Sequence, residues 1–221
     1  MKRYFGILVF GLATVLLFAA TAPSSTATEI EPSSPEGKTI LAATEGYFST
    51  LTTARFHFEQ TSPIKGLGNQ QGEDASGSFS LWRPGRMRFD YSPPSPITLI
   101  AAKGKLLYMD RDLNQASELP ISSSLLGLFV RPTVRLSGDI TVKSIVRDDQ
   151  TVAVTLYQTA NPGLGQVVLN LRLEPRIEWL GWEVTDAQLR VTVVRLSQAS
   201  YGLVLDNRSF DFNFKPKGNQ K

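Results

Sequence analysis

Cysteine is absent from the 221 residues, and histidine occurs once, as His57. The first absence removes disulfide frameworks, thiolate zinc sites and cysteine nucleophiles, and it leaves no cysteine to carry a lipid anchor. The second removes any metal centre built from histidines, so the sequence implies no metal and no cofactor. An excess of charge of either sign is also missing. The net charge of +3 includes Lys2 and Arg3, and without them 21 basic side chains face 20 acidic ones. That balance gives no electrostatic footprint for nucleic acid. With 42% hydrophobic and 19% charged residues, the chain is globular and long enough for one domain behind a leader.

Catalytic patterns are present only as fragments. Ser62-Pro63-Ile64-Lys65 has the spacing of the Ser-x-x-Lys nucleophile motif, but Pro63 breaks the helix start that motif needs, and no Ser-Asp-Asn or Lys-Thr-Gly accompanies it. His57-Phe58-Glu59 has the His-x-Glu spacing of zinc deaminases, which require the cysteines this chain lacks. Asp148 and Asp149 are adjacent, so on a strand end they point apart and fit a turn. These residues predict a binding protein without enzymatic activity.

The first 27 residues read as a cleaved secretory signal: Lys2 and Arg3 form the positive region, Tyr4 to Ala20 is nearly unbroken apolar sequence, and Ser25-Thr26-Ala27 supplies the small residues a signal peptidase inspects. The alternative is an uncleaved anchor, because the apolar stretch approaches the ~20 residues that span a bilayer. Residues 28–37 are rich in Ser, Pro and Glu and read as a flexible tether. Residues 38–218 form the folded domain.

From Ile40 to Leu51 the apolar Ile40, Ala43, Tyr47 and Leu51 recur at helical spacing and predict an amphipathic helix. The period then changes to two. Strands are predicted at 54–59, 76–83, 86–92, 97–103, 105–110, 113–119, 139–147, 151–158, 166–173, 178–186, 188–196, 200–206 and 208–214, with turn residues such as Pro84-Gly85 and Lys103-Gly104 between them. One interruption, Ser122 to Val130, reads as a short serine-capped helix carrying Leu125, Leu126, Leu128 and Phe129. So many antiparallel strands curl rather than lie flat. The expected fold is mainly β, an incomplete antiparallel barrel with a small helical lid over a hydrophobic cavity.

The segment Ser76 to Tyr91 carries the most specific signal. Alternation places Phe79, Leu81 and Arg83 on one face of a strand, and after the Pro84-Gly85 turn places Met87, Phe89 and Tyr91 on one face of the next. A guanidinium among apolar neighbours is costly unless fixed acceptors satisfy it, so Arg83 reads as a polar latch on a hydrophobic surface. Phe56, Phe58, Phe79, Leu81, Met87, Phe89, Tyr91 and Leu99 form the candidate acyl-chain lining. The alternative for each is an ordinary core position.

The order and spacing of Phe56-x-Phe58-x-Gln60-Thr61, Ser76-Gly77-Ser78-Phe79-x-Leu81-x-Arg83-Pro84-Gly85-x-Met87-Arg88-Phe89-x-Tyr91, Ile100-Ala101-Ala102-Lys103-Gly104 and Leu107-Tyr108-Met109-Asp110 resemble the outer-membrane lipoprotein carrier family, LolA. Phe210 to Pro216 is similar to that family's closing strand. The resemblance implies a monomeric periplasmic chaperone. It would take triacylated lipoproteins from an inner-membrane ABC transporter, carry them to the outer membrane, and hand them to a receptor where one exists. It also assigns Arg83 the role of bonding lid backbone groups to hold the empty cavity shut, and Met87 and Phe89 the role of lining it. The family often has larger aromatic residues at the positions of Met87 and Phe89, and this chain has Ser80 where a second aromatic or long residue commonly precedes the leucine. Two other readings stay open: a periplasmic carrier of a different lipid on the same scaffold, and a membrane-tethered scaffold protein.

Overall fold

The computed structural model describes residues 27–62 and 74–212. The leader as far as residue 26, Lys65 of the Ser-x-x-Lys fragment and the last residues of the tail lie outside them. The first strand, β1, is Thr28–Ile30, followed by helix α1, Pro35–Thr50. Six strands then follow: β2 Thr53–Thr61, β3 Asp74–Trp82, β4 Arg86–Tyr91, β5 Ile97–Ala102, β6 Lys105–Asp110 and β7 Gln115–Pro120. Two 3-10 turns, Ile121–Ser123 and Leu125–Val130, lead to β8 Ile140–Asp148, β9 Thr151–Gln158, β10 Gly165–Arg172, β11 Glu178–Asp186 and β12 Val191–Tyr201.

All twelve strands form one antiparallel sheet in the order β1-β8-β9-β10-β11-β12-β2-β3-β4-β5-β6-β7. The chain thus folds as two meanders joined where β12 pairs with β2, and β1 and β7 remain as edges. The sheet is strongly curled. Strands spaced about 4.8 Å apart would hold β4 and β11 ~19 Å apart if flat. Yet the rings of Phe89 on β4 and Trp182 on β11 have centroids 6.0 Å apart. The expected unclosed barrel is therefore present, and its concave face, α1 and the turn Leu125–Val130 enclose one core.

Helix α1 starts where its chemistry dictates. Ser34 is the N-cap, its hydroxyl accepting from the Gly37 N–H at 3.0 Å, Pro35 occupies the first turn, and Glu36 adds an acid there. Its buried positions are Gly37, Ile40, Thr44 and Phe48, so the buried stripe lies one residue beyond the Ala43 and Tyr47 that the apolar spacing selects. Thr44 tolerates full burial because its hydroxyl donates to the Ile40 carbonyl at 2.9 Å.

Three further expectations need correction. Residues 28–37 are no tether: β1 pairs with β8 through Thr28↔Arg147 and Ile30↔Ile145, and α1 begins at Pro35. The stretch 188–206 carries one strand, β12, which ends at Tyr201, and no strand occupies 208–212. There, Asp206 accepts from the Arg208 N–H at 3.0 Å and starts a 3-10 turn, Asn207–Phe210. Phe210 packs on the convex side of the sheet with Ile100 and Leu107, its ring 5.9 Å from that of Trp82. The predicted helix at 122–130 is the two 3-10 turns, with Ser124 capping the second by accepting from the Leu126 N–H.

Candidate functional site: a latched lid over an aromatic hollow

Arg83 follows directly on β3 and keeps its parity, so the side chain points inward behind Leu81 and is only 7% exposed. Its nitrogens are spent on three main-chain carbonyls. Nη1 donates to Phe48, Nη2 to Arg131 at 2.6 Å and to Pro132 at 3.5 Å, and Nε to Arg131 at 3.2 Å. Phe48 lies in the last turn of α1, which has no basic residue of its own. Arg83 thus supplies from the sheet the cation that orphan helix-terminal carbonyls attract. Burial lowers the Arg83 pKa from its ordinary value, and a guanidinium so shifted is still a cation at physiological pH.

The same region is tied by neighbours. The Gly85 N–H donates to the Val130 carbonyl at 2.8 Å, at the end of the turn Leu125–Val130. Glu45 of α1 accepts from the Leu136 N–H at 2.7 Å, and Arg131 pairs with Asp139 at 2.6 Å. The segment from Leu125 to Leu136 is a lid, fastened to α1 and to the β3–β4 turn through Arg83 and Gly85.

Beneath the lid lies an aromatic core. Phe129 inserts from the lid with its ring centroid 4.7 Å from that of Trp179 and 4.9 Å from that of Trp182. Phe79 stacks on Phe89 at 4.4 Å and on Phe56 at 5.7 Å. Phe58 meets Tyr91 edge-on at 5.0 Å. Phe56, Phe58, Phe79, Leu81 and Met87 are fully buried in this packing and border neither of the two cavities that adjoin the lid. They form the floor that the lid closes on.

Two cavities adjoin the lid. The larger, about 740 Å³, is bounded by Ala101, Ile121, Leu128, Ile140, Leu156 and Val167 among others. The smaller, about 340 Å³, takes Phe89, Tyr91 and Leu99 from the predicted lining and adds Trp182, Val184 and Val194. Leu125 borders both, Leu128 the larger, Leu126 the smaller, and Phe129 neither. Tyr91 donates to Gln60 Oε1 at 2.7 Å, and burial, with a smaller push from Tyr108, raises its pKa to about 12.

Trp179 and Trp182 are absent from the sequence-based set because they are three residues apart on one strand and alternation sends them to opposite faces. A β-bulge resolves this: the register between β10 and β11 skips Leu180, pairing Leu171 with Trp179 and Asn170 with Gly181. Gly181 has φ +135°, and a Cβ there would sit 2.0 Å from the Val194 carbonyl oxygen. Both indoles therefore face inward. The glycine between two tryptophans is the signal that marks this bulge in the sequence.

The family model described as "Outer membrane lipoprotein carrier protein LolA" matches residues 49–213. The chain belongs to the LolA family. A protein of Methylobacillus flagellatus named outer-membrane lipoprotein carrier protein is 25% identical over 175 residues, covering 76% of this chain and 82% of the relative. One of the same name from Methylococcus capsulatus is 26% identical over 150 residues, 64% of this chain and 68% of the relative. Among solved structures, a DUF1329 family protein from Desulfovibrio piger matches with a TM-score of 0.52 at 9% identity, over 80% of this chain and 97% of that one, a likeness of fold. The LolA match takes in β2 to β12, Arg83, the segment Leu125–Leu136 and both cavities, and it begins one residue after Phe48.

Proposed function

We propose that this LolA-family chain is exported by its leader and carries the acyl chains of lipoproteins, released from the inner membrane, across the periplasm to the outer membrane. The observation that carries the reading is the Arg83 guanidinium, buried against apolar side chains and bonded to lid and helix carbonyls. Each buried methylene is worth ~0.8 kcal/mol, so an acyl chain of about 15 methylenes costs ~12 kcal/mol to expose to water. A carrier must hide that surface and then surrender it. A hollow that refills with its own side chains when empty, here Phe129 against the two tryptophans, is suited to surrender. Bonds from a charged group at ~1.5–3 kcal/mol each are strong enough to close such a lid and weak enough for an entering chain to break.

The test is mass spectrometry of what copurifies with the exported chain. Triacylated lipoprotein bound to it is the expected result. Phospholipid or free fatty acid alone would instead make it a carrier of another lipid.

A further inference from the structure

The antiparallel ladder gathers the β4–β5, β6–β7, β9–β10 and β11–β12 turns at one end of the curled sheet, the end where Tyr91, Asp186 and Thr192 bound the smaller cavity. Each of these turns exposes an uncharged apolar residue: Pro94, Leu113, Pro162 and Leu189. The turns at the other end expose Lys103, Asp149, Glu174 and Arg176. Leu113 is 65% exposed and Leu189 74%. A single exposed leucine is ordinary. Leu189, however, also has φ +61°, a left-handed backbone that glycine or asparagine adopts at little cost and leucine does not. A leucine thus accepts both strain and exposure where a glycine would accept neither.

Both leucines are held outward on tightly bonded turns. Asp186 Oδ1 accepts from the Gln188 and Arg190 N–H groups, each at 2.9 Å, and the Leu189 N–H donates to the Asp186 carbonyl at 2.9 Å. Asp110 Oδ1 accepts from the Asp112 and Leu113 N–H groups at 3.0 and 2.9 Å, and Asn114 follows with φ +51°. Charge at these turns is close to balance: Arg190 pairs with Asp186 at 2.7 Å, and Arg111 stands beside Asp112.

We propose that this end of the barrel docks directly on a lipid surface, with Leu113 and Leu189 entering the layer between headgroups and acyl chains. Apolar tips on separate turns make no continuous patch of the kind that forms the core of a protein interface. An interfacial lipid layer admits such side chains one by one. Because the charges at the turns are paired or balanced, the contact is apolar and does not depend on low salt. So few side chains hold the protein only reversibly. The contact needs no cargo and goes beyond the acyl-carrier reading.

The chain has no cysteine, so single labelling sites can be introduced without background. Leu113→Cys, Leu189→Cys and Val204→Cys proteins, each carrying the environment-sensitive dye NBD, are titrated without cargo against vesicles of phosphatidylethanolamine and phosphatidylglycerol. Val204 is the control: it is fully exposed and follows the end of β12, at the opposite end of the sheet. The expected result is that emission from positions 113 and 189 rises at least twofold and shifts to the blue, persists in about 0.5 M salt, and stays flat at 204. Leu189→Asn, which suits the left-handed backbone, cuts the rise at position 113 at least threefold. No rise at 113 and 189, an equal rise at 204, a rise abolished by salt, or an undiminished rise at 113 in the Leu189→Asn protein overturns the docking. Acyl binding by the same labelled proteins is measured separately, so failure of the docking and failure of the carrier reading are distinguishable.

Discussion

Arg83 joins the C-terminal turn of α1 to the end of the lid, donating through Nη1 to the Phe48 carbonyl and through Nη2 to the Arg131 carbonyl at 2.6 Å. Glu45 of α1 also ties the helix to the lid, accepting from the Leu136 N–H at 2.7 Å. Arg83→Leu leaves three carbonyls without their donor in a buried place, and hydrogen bonds to charged groups are worth ~1.5–3 kcal/mol each. The expected outcome is a folded protein whose urea-unfolding free energy falls by ~2–4 kcal/mol. Amide exchange in residues 125–136 accelerates while exchange in β2 and β3 is unchanged. Arg83→Lys recovers only part of this, because one ammonium replaces a planar fork aimed at two elements.

Phe129 fills the hollow from the lid side and is 1% exposed. Phe129→Ala costs ~3–5 kcal/mol on the scale of buried phenylalanine truncations. The space it vacates lies against both Trp179 and Trp182, so the variant gains affinity for an apolar dye such as ANS. Denaturation and dye titration together check this, since loss of stability without gain in dye binding would place Phe129 in an ordinary collapsed core.

Much of this arrangement is legible in the sequence, and what is not has identifiable causes. The alternation of Phe79, Leu81 and Arg83 and of Met87 and Phe89 survives intact because β3 and β4 pair without a bulge. The inward guanidinium follows from that parity alone. Trp179 and Trp182 elude the same rule, since a bulge changes parity within β11 and depends on the backbone of Gly181. The helix face is misjudged by one residue, because a threonine that bonds its own backbone can be buried as well as an alanine. Edge strand β1 has three residues and too little pattern to read; its evidence is its partner β8. Phe56, Phe58, Phe79, Leu81 and Met87 lie in one packed core with Phe129 and the two tryptophans, a contact across the curled sheet that strand alternation alone does not reveal.

Gly77 faces Phe58 across β2 and β3, and a Cβ on it would lie 2.1 Å from the Asp90 carbonyl oxygen and 2.8 Å from the Phe58 ring. Neither strand can withdraw without breaking the ladder. Gly77→Ala is expected to destabilise by ~1–3 kcal/mol through overpacking, read from the urea midpoint. An unchanged midpoint would mean that β3 and β4 are more loosely paired than the register indicates.

Tyr91 sets a pH dependence whose sign is fixed. Its folded pKa, about 12, lies above the ordinary value of 10.0. Between those values the unfolded chain has lost the phenolic proton that the folded chain keeps, so stability falls as pH rises. The contribution is complete below pH 10.0 and is lost as pH approaches about 12. With partial solvent access to the ring, the loss is on the order of 1–2 kcal/mol. Tyr91→Phe should flatten this part of the profile, and unfolding midpoints of the two proteins between pH 9 and pH 12 give the comparison.

The central claim is that closing the lid competes with holding the cargo, and that Arg83 is what makes closing favourable. The most direct measurement loads wild type and Arg83→Leu with the same acylated lipoprotein and follows its transfer to outer-membrane vesicles. One charged bond is worth ~1.5–3 kcal/mol, and about 1.4 kcal/mol is a tenfold change in an equilibrium constant. The account predicts that the variant binds cargo at least as well as wild type and releases it at least tenfold more slowly. Equal transfer by the two proteins would contradict it.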